Sequence, residues 1–204
     1  MNRRSWLQFS TRFLLGAVGI SALPFWWIRR RLVAAGAQAD AVHRLQSLGG
    51  SVGYAHEWDN DKDRYSGSPP PGTAFLRAIL GEHFFLTPNL ILFSDFSGDQ
   101  RCLEPIAQLS TVEHLGIVES VVDDGIVPIL QPLPRLEYLS LYGTQITDAG
   151  LEKLASLQSL RSIVITNTKV TDAGRLRFAR LCPGCVIHFE ENASEAIAEQ
   201  TEDE

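Results

Sequence analysis

The chain has 204 residues, 45% hydrophobic and 21% charged, with a formal net charge of -6 and three cysteines. That length holds one modest domain with a core plus appendages, and three cysteines are too few for a disulfide scaffold. Residues 1–44 carry seven arginines and one acid while the remainder carries 23 acids against eleven Lys or Arg, so the basic end suits a membrane surface and the acidic body argues against nucleic acid.

Phe13 to Ile28 (FLLGAVGISALPFWWI) runs without a charge. As a helix it spans roughly 24 Å at ~1.5 Å per residue, against about 30 Å for a hydrocarbon core. Arg12 and Arg29 extend long stems toward the interface from either end, and Trp26 and Trp27 suit the interfacial belt. Pro24 bends the last turn. Residues 1–31 are therefore expected to form a single-pass anchor, touching lipid through 13–28. Basic residues flank both sides, so charge assigns no orientation. A cleaved signal peptide is the rival: Arg3, Arg4 and Arg12 form a basic start, and Arg3-Arg4-Ser5-Trp6 faintly echoes a twin-arginine signal. Against cleavage, no A-x-A site adjoins the apolar run, and Arg29-Arg30-Arg31 comes directly after it. A soluble core helix is the third reading.

Residues 32–87 read as an N-terminal cap of helix, strand and loop. Leu32 to Leu48 is predicted helical, with Val42, Leu45 and Leu48 on one side and Gly49-Gly50 ending it. Ser51 to Ala55 is predicted as a strand with Val52 and Tyr54 on one face. Glu57 to Gly72 has turn residues and no apolar period, and is predicted as a loop. Thr73 to Leu80, with Phe75, Leu76, Ile79 and Leu80, is a short helix closed by Gly81.

Residues 88–189 then repeat at a period of 24. Leu115 and Ile117 recur as Leu139 and Leu141 and as Ile163 and Ile165; Ser120 recurs as Thr144 and Thr168; Val127 and Leu130 recur as Leu151 and Leu154. One period earlier lie Ile91, Phe93, Leu103 and Ile106, a degenerate first repeat. One period later lie Ile187 and Phe189, a closing strand. Apolar residues two apart point into a core from a strand, and those three apart mark one side of a helix. A fixed period in the twenties marks a stacked solenoid, needing about three repeats for stability, and its first repeat needs a cap. Thr147-Asp148-Ala149-Gly150 recurs as Thr171-Asp172-Ala173-Gly174, placing cap residues at each helix start. The hydroxyls of Ser120, Thr144 and Thr168 are placed to satisfy backbone groups leaving the strand. Arg175 occupies the slot of Leu151, so the last helix is expected to be shifted or partly exposed. Residues 190–204, with seven acids and no base, read as a solvated, disordered tail; its Asn192-Ala193-Ser194 sequon is read as accidental.

The pattern L-x-x-L-x-L-x-x-T-x-I-T-D-A-G-L resembles the 24-residue leucine-rich repeats of the ribonuclease-inhibitor-like kind. The whole chain is similar to short bacterial membrane-anchored leucine-rich repeat proteins. This second resemblance rests on Phe9-Ser10-Thr11-Arg12 before the apolar run, on Leu45-Gln46-Ser47-Leu48-Gly49-Gly50-Ser51-Val52, and on Cys182-Pro183-Gly184-Cys185-Val186-Ile187. It implies an α/β solenoid with a parallel concave sheet and convex helices, used for protein contacts, and names no partner.

Chemistry has few candidates. Cys182 and Cys185 form a lone C-x-x-C, with His188 as a third possible metal ligand. Redox enzymes place this motif at a helix start; here it follows a helix, and no second C-x-x-C completes a zinc site, so a capping turn is expected. Asp59, Asp61 and Asp63 alternate, but Arg64 and Pro70 stand where a calcium loop needs Gly and Glu. His43, His56, His83, His114 and His188 are scattered, and no catalytic motif appears. No catalytic residue, cofactor or metal is assigned.

What remains is the outward face of the sheet, in three columns: Leu90, His114, Tyr138, Ser162, Val186; then Leu92, Gly116, Ser140, Val164, His188; then Ser94, Val118, Tyr142, Thr166, Glu190. Tyr138 and Tyr142 are the expected anchors, surrounded by His114, Val118 and Val164. Five strands at ~4.8 Å give a flat footprint of roughly 200 Å², well under the ~800 Å² per partner of a standard complex. Any protein partner therefore binds weakly or reaches other elements too. The expected function is a non-catalytic, membrane-anchored repeat module for protein–protein contact. Its rivals are a thiol redox or metal protein using Cys182 and Cys185, and a structural envelope component.

Overall fold

The computed structural model describes residues 11–59, 64–65 and 70–189. Helix α1 (Thr11–Ser47) runs unbroken through the boundary expected at residue 31. The stretch Arg29 to Ala35 has no Gly or Pro to stop it, and Arg, Leu and Ala are good helix formers. The expected anchor segment lies in this helix, though the side chains of 11–25 lie outside the described residues. Among the described residues no helix is long and apolar enough to cross a membrane. Further along α1, Ala35, Ala41, Val42 and Leu45 are buried. The helix ends as expected: Gly49 takes a φ of 88° and the Gly50 N–H donates to the Leu45 carbonyl at 3.0 Å, a left-handed cap.

Strand β1 (Ser51–Tyr54) pairs antiparallel with β4 (Pro88–Ser94). The stretch expected to be a loop contains a two-stranded pair, β2 (Trp58–Asp59) with β3 (Arg64–Tyr65). Asp61 and Asp63 lie outside the described residues, as does the tail from 190 onward with its sequon. Helix α2 (Ala74–Leu80) starts where predicted, the Leu76 N–H donating to Thr73 Oγ1. It buries none of its residues. Ala41, Val42 and Leu45 of α1 join the core of the first repeat, and Phe75, Leu76 and Ile79 stay exposed.

Beyond β4, the 24-residue spacing becomes a ladder. Strands β5 (His114–Val118), β6 (Tyr138–Ser140), β7 (Ser162–Val164) and β8 (Val186–His188) follow in parallel, giving a six-stranded sheet in the order β1-β4-β5-β6-β7-β8. Ile91, Leu115, Leu139, Ile163 and Ile187 pair in register, each one repeat from the next. The first four are fully buried. Repeats one to four therefore share one core, as the spacing required.

The opposite side departs from the expectation of uniform helices. α4 (Asp148–Leu154) and α5 (Asp172–Leu181) are helical. The first repeat has a 3-10 helix over Gln100–Gln108, and the second a 3-10 turn, Asp124–Ile126, leading into the single-turn α3 (Val127–Leu130). Pro105 inside the first, and Pro128 and Pro132 in and beyond the second, remove N–H donors that a longer α-helix needs. Arg175 does not shift α5, which begins at the offset of α4 and buries Phe178. Its guanidinium pairs with Asp172 and lies 3.5 Å from the centre of the Phe189 ring. Leu176 and Leu181 on the same helix are exposed, in keeping with the expected partial exposure; among the described residues α5 is the last helix and packs against α4.

Each strand exit turns on one left-handed residue. Asp95, Glu119, Gly143 and Asn167 have φ of 55°, 51°, 67° and 57° and stand one repeat apart. Glycine takes this conformation freely; Asp and Asn tolerate it, and Glu tolerates it poorly. Glu119→Gly is expected to raise stability by about 0.5–1 kcal/mol, strain relief outweighing added chain entropy. A rise in the urea midpoint at constant slope checks it; a fall would show that Glu119 is unstrained.

Candidate functional site

The ladder sets two of the three outward columns as the alternation required, and of the third pairs only Ser94 with Val118. Leu90, His114, Tyr138, Ser162 and Val186 pair in sequence, and so do Leu92, Gly116, Ser140, Val164 and His188. The face is uneven. Leu92 lies across Gly116, which is buried, so the N-terminal part of the second column is filled. Toward β8 the surface opens into a cleft of about 580 Å³, lined by Tyr138, Tyr142, Val164, Thr166, Ile187, His188 and Phe189.

Three of the five expected residues, Tyr138, Tyr142 and Val164, thus meet around one cleft. Tyr142 stands just past the end of β6, in the turn whose backbone still bonds its neighbours: the Glu119 N–H donates to the Tyr142 carbonyl at 2.8 Å. His114 sits beside Tyr138, with ring centres 5.9 Å apart, and Val118 is half-buried; neither lines the cleft. Ile187, His188 and Phe189 close it at the C-terminal end. The signal for them was their 24-residue offset from Ile163, Val164 and Ile165.

Repeats are latched by aspartates that sequence alone presents as helix caps. The Thr147 N–H and hydroxyl donate to the two Asp124 oxygens at 2.8 and 2.6 Å. One repeat on, the Thr171 N–H and hydroxyl donate to Asp148 at 2.7 Å each. Capping itself falls to Thr147 and Thr171, which accept from Ala149 and Gly174, and to Asp123, which accepts from Gly125. Burial opposes charge on Asp148, but the Thr171 bonds and Arg177 at 3.0 Å outweigh it and hold the carboxyl below its ordinary range. A depressed folded-state value adds stability above the ordinary carboxylate pKa, lost as pH falls through the folded value. The strand-exit hydroxyls act as expected: Thr144 and Thr168 each donate at 2.7 Å, to the carbonyls of Leu141 and Ile165, and Ser120 donates to Val118 at 2.8 Å.

A second hollow, about 670 Å³, lies over this latch and includes Gln100, Asp123, Asp124, Thr147 and Lys169. It is larger than the cleft near β8, but Asp124 and Thr147 are occupied by each other, and Gln100 donates to Asp123 at 2.7 Å. We read it as a seam between repeats. Among the described residues no group of three His, Cys, Asp or Glu is placed to hold a metal ion.

Cys182 and Cys185 close a turn after α5, the Cys185 N–H donating to the Cys182 carbonyl at 3.1 Å, and both pack against the core. Burial first, and then the neighbouring Cys182, pushes the Cys185 thiol up to about 12. Reactive thiols need the opposite shift. At pH 8, alkylation is expected first at exposed Cys102, with Cys185 modified about a thousandfold more slowly for want of thiolate. Peptide mapping after timed iodoacetamide quenching reads this; fast modification of Cys185 would restore the redox reading.

No family model matches the chain, and no curated protein matches it. Among solved structures, it is similar to internalin C2 of Listeria monocytogenes, with 22% identity and a TM-score of 0.35 over 43% of this chain and 36% of that one. A leucine-rich repeat protein of Leptospira interrogans gives 20% and 0.35 over 42% and 21%. An internalin F of Listeria monocytogenes gives 18% and 0.33 over 44% and 32%. The match spans well under half the length of each of these proteins.

Proposed function

We propose that this chain is a membrane-tethered leucine-rich repeat module of the 24-residue kind that holds a protein partner in its concave cleft and performs no chemistry of its own. The observation that carries the reading is the cleft itself. Two tyrosines, a valine, a histidine and a phenylalanine line one cleft at the β8 end of the parallel sheet. Aromatic side chains with a polar tip are the residue types that dominate contact energies at interfaces. The Cys182 and Cys185 pair closes a turn after α5 and does not open a helix, where a reactive thiolate would be stabilised, which disfavours the thiol-redox alternative. The tether is proposed at 13–28 on two grounds. One is its uncharged sequence; the other is its C-terminal end, where Trp26 and Trp27 are exposed and the Arg30 guanidinium stands 5.5 Å from the Trp26 ring. A small docking face gains from tethering, because confinement raises effective concentration.

Proximity labelling by the full chain in native membranes tests this reading. Tyr138→Ala with Tyr142→Ala is expected to weaken the principal contact by about 2 kcal/mol or more, roughly thirtyfold, and to remove specific proteins from the labelled set. An unchanged set from the folded double variant would place the contact elsewhere.

A further inference from the structure

We infer that α2 is a second membrane contact, an interfacial foot whose Phe75, Leu76 and Ile79 dip into the headgroup boundary beside the tether. The inference rests on the proposed anchoring of residues 13–28. Its starting point is a helix that lacks what normally holds a helix together. α2 has only seven residues, and isolated helices shorter than about 12–15 residues are marginal in water, drawing their stability from a packed apolar face. Yet α2 buries none of its residues, and Phe75, Leu76 and Ile79 are 72%, 42% and 63% exposed. Single exposed apolar residues need no explanation; three on two turns form a patch.

The patch is held in place and located. The Arg77 guanidinium donates to the Pro70 carbonyl at 2.6 Å, and the Gly81 N–H donates to the Arg77 carbonyl at 2.9 Å. Gly72, at a φ of 90°, lies against the Phe85 ring. The segment C-terminal to α2 is tied to α1, where Gln38 Nε2 donates to the Leu86 carbonyl at 3.1 Å. That tie is three residues beyond Ala35, where α1 first becomes buried. Ala35 is the first buried residue along the described part of α1, seven residues or about 10 Å beyond Ile28, the end of the apolar run. The headgroup zone of one leaflet is itself about 5–7 Å thick. A domain starting that close sits on the surface, and apolar side chains exposed shortly before the Leu86 tie to α1 come within reach of the interface. Charge agrees: Arg29, Arg30 and Arg31 are all exposed in the gap, where each is drawn to anionic headgroups. A lipid surface, and not a protein groove, is thus the occupant that length, position and charge together favour.

The test uses the full chain reconstituted in phosphatidylcholine–phosphatidylglycerol vesicles, with the photo-reactive benzoylphenylalanine in place of Phe75 or, as a control, of Leu176 on α5. Both sites are exposed, so the fold tolerates the change; urea midpoints matching the parent confirm it. Irradiation is expected to give lipid adducts at least tenfold more abundant at position 75 than at 176. Protein that floats with the vesicles but gives equal adducts, or a protein–protein adduct at 75, overturns the foot and leaves the tether standing. Protein that fails to float overturns the tether and the foot with it.

Discussion

Leu139→Ala is expected to cost about 3–5 kcal/mol of folding stability. The side chain is fully buried and paired in the ladder between Leu115 and Ile163, so rungs on both sides constrain how far the core can close over the space left behind. A buried Leu→Ala change loses transfer free energy and leaves a cavity, and the loss is greatest where surroundings cannot collapse. Stability in a stacked array is a sum of repeat and neighbour-interface contributions, and a central rung weakens two interfaces together. Leu92→Ala is the matched control on the opposite face; Leu92 is 40% exposed and the change is expected to cost no more than about 1 kcal/mol. Urea titration reads both. Equal losses would mean that the aliphatic column does not form the shared core.

Gly150→Ala is expected to cost about 2–4 kcal/mol, more than the helix propensity of alanine returns. Gly150 is buried in the first turn of α4, and a Cβ there would overlap the Asp124 carboxylate that bonds Thr147. Gly174 stands in the same relation to Asp148. The new methyl group must push the carboxylate off two short hydrogen bonds to a charged acceptor, each worth more than a neutral one. The signature is non-additivity. Asp124→Ala alone loses the latch, and Gly150→Ala added to it should then cost little, because the obstacle is gone. A double-mutant cycle with a coupling of about 1–3 kcal/mol is expected; additive losses would show that glycine serves some other need.

The aliphatic rungs were legible because burial imposes one residue class on every repeat, and a constant offset carries that constraint along the chain. Ile91, Leu115, Leu139, Ile163 and Ile187 followed from it, and so did the columns that place Tyr138 beside Ser162. The latch was not legible. An aspartate at a helix start satisfies the ordinary capping rule, and only coordinates reveal that Asp124 and Asp148 reach across to the next repeat. The recurring glycines 150 and 174 held the clue, since a glycine within a helix is on its own destabilising. The left-handed row was half visible: Asp95, Gly143 and Asn167 suit that conformation, and Glu119 hides it. The exposure of Phe75, Leu76 and Ile79 was hidden too, because apolar spacing does not distinguish a buried face from an exposed one. The cleft lay further toward β8 than the tyrosines alone suggested, because Leu92 fills the surface over Gly116 while Ile187, His188 and Phe189 leave theirs open.

The cleft exists only if strands one repeat apart lie in parallel register, and backbone NMR measures that most directly. Amide and α-proton contacts are expected to link His114 with Tyr138, Tyr138 with Ser162 and Ser162 with Val186, every pair 24 residues apart. A parallel register between β5, β6, β7 and β8 centred on any other offset, or no contacts between β6 and β7, would separate Tyr138 and Tyr142 from Val164 and contradict the account.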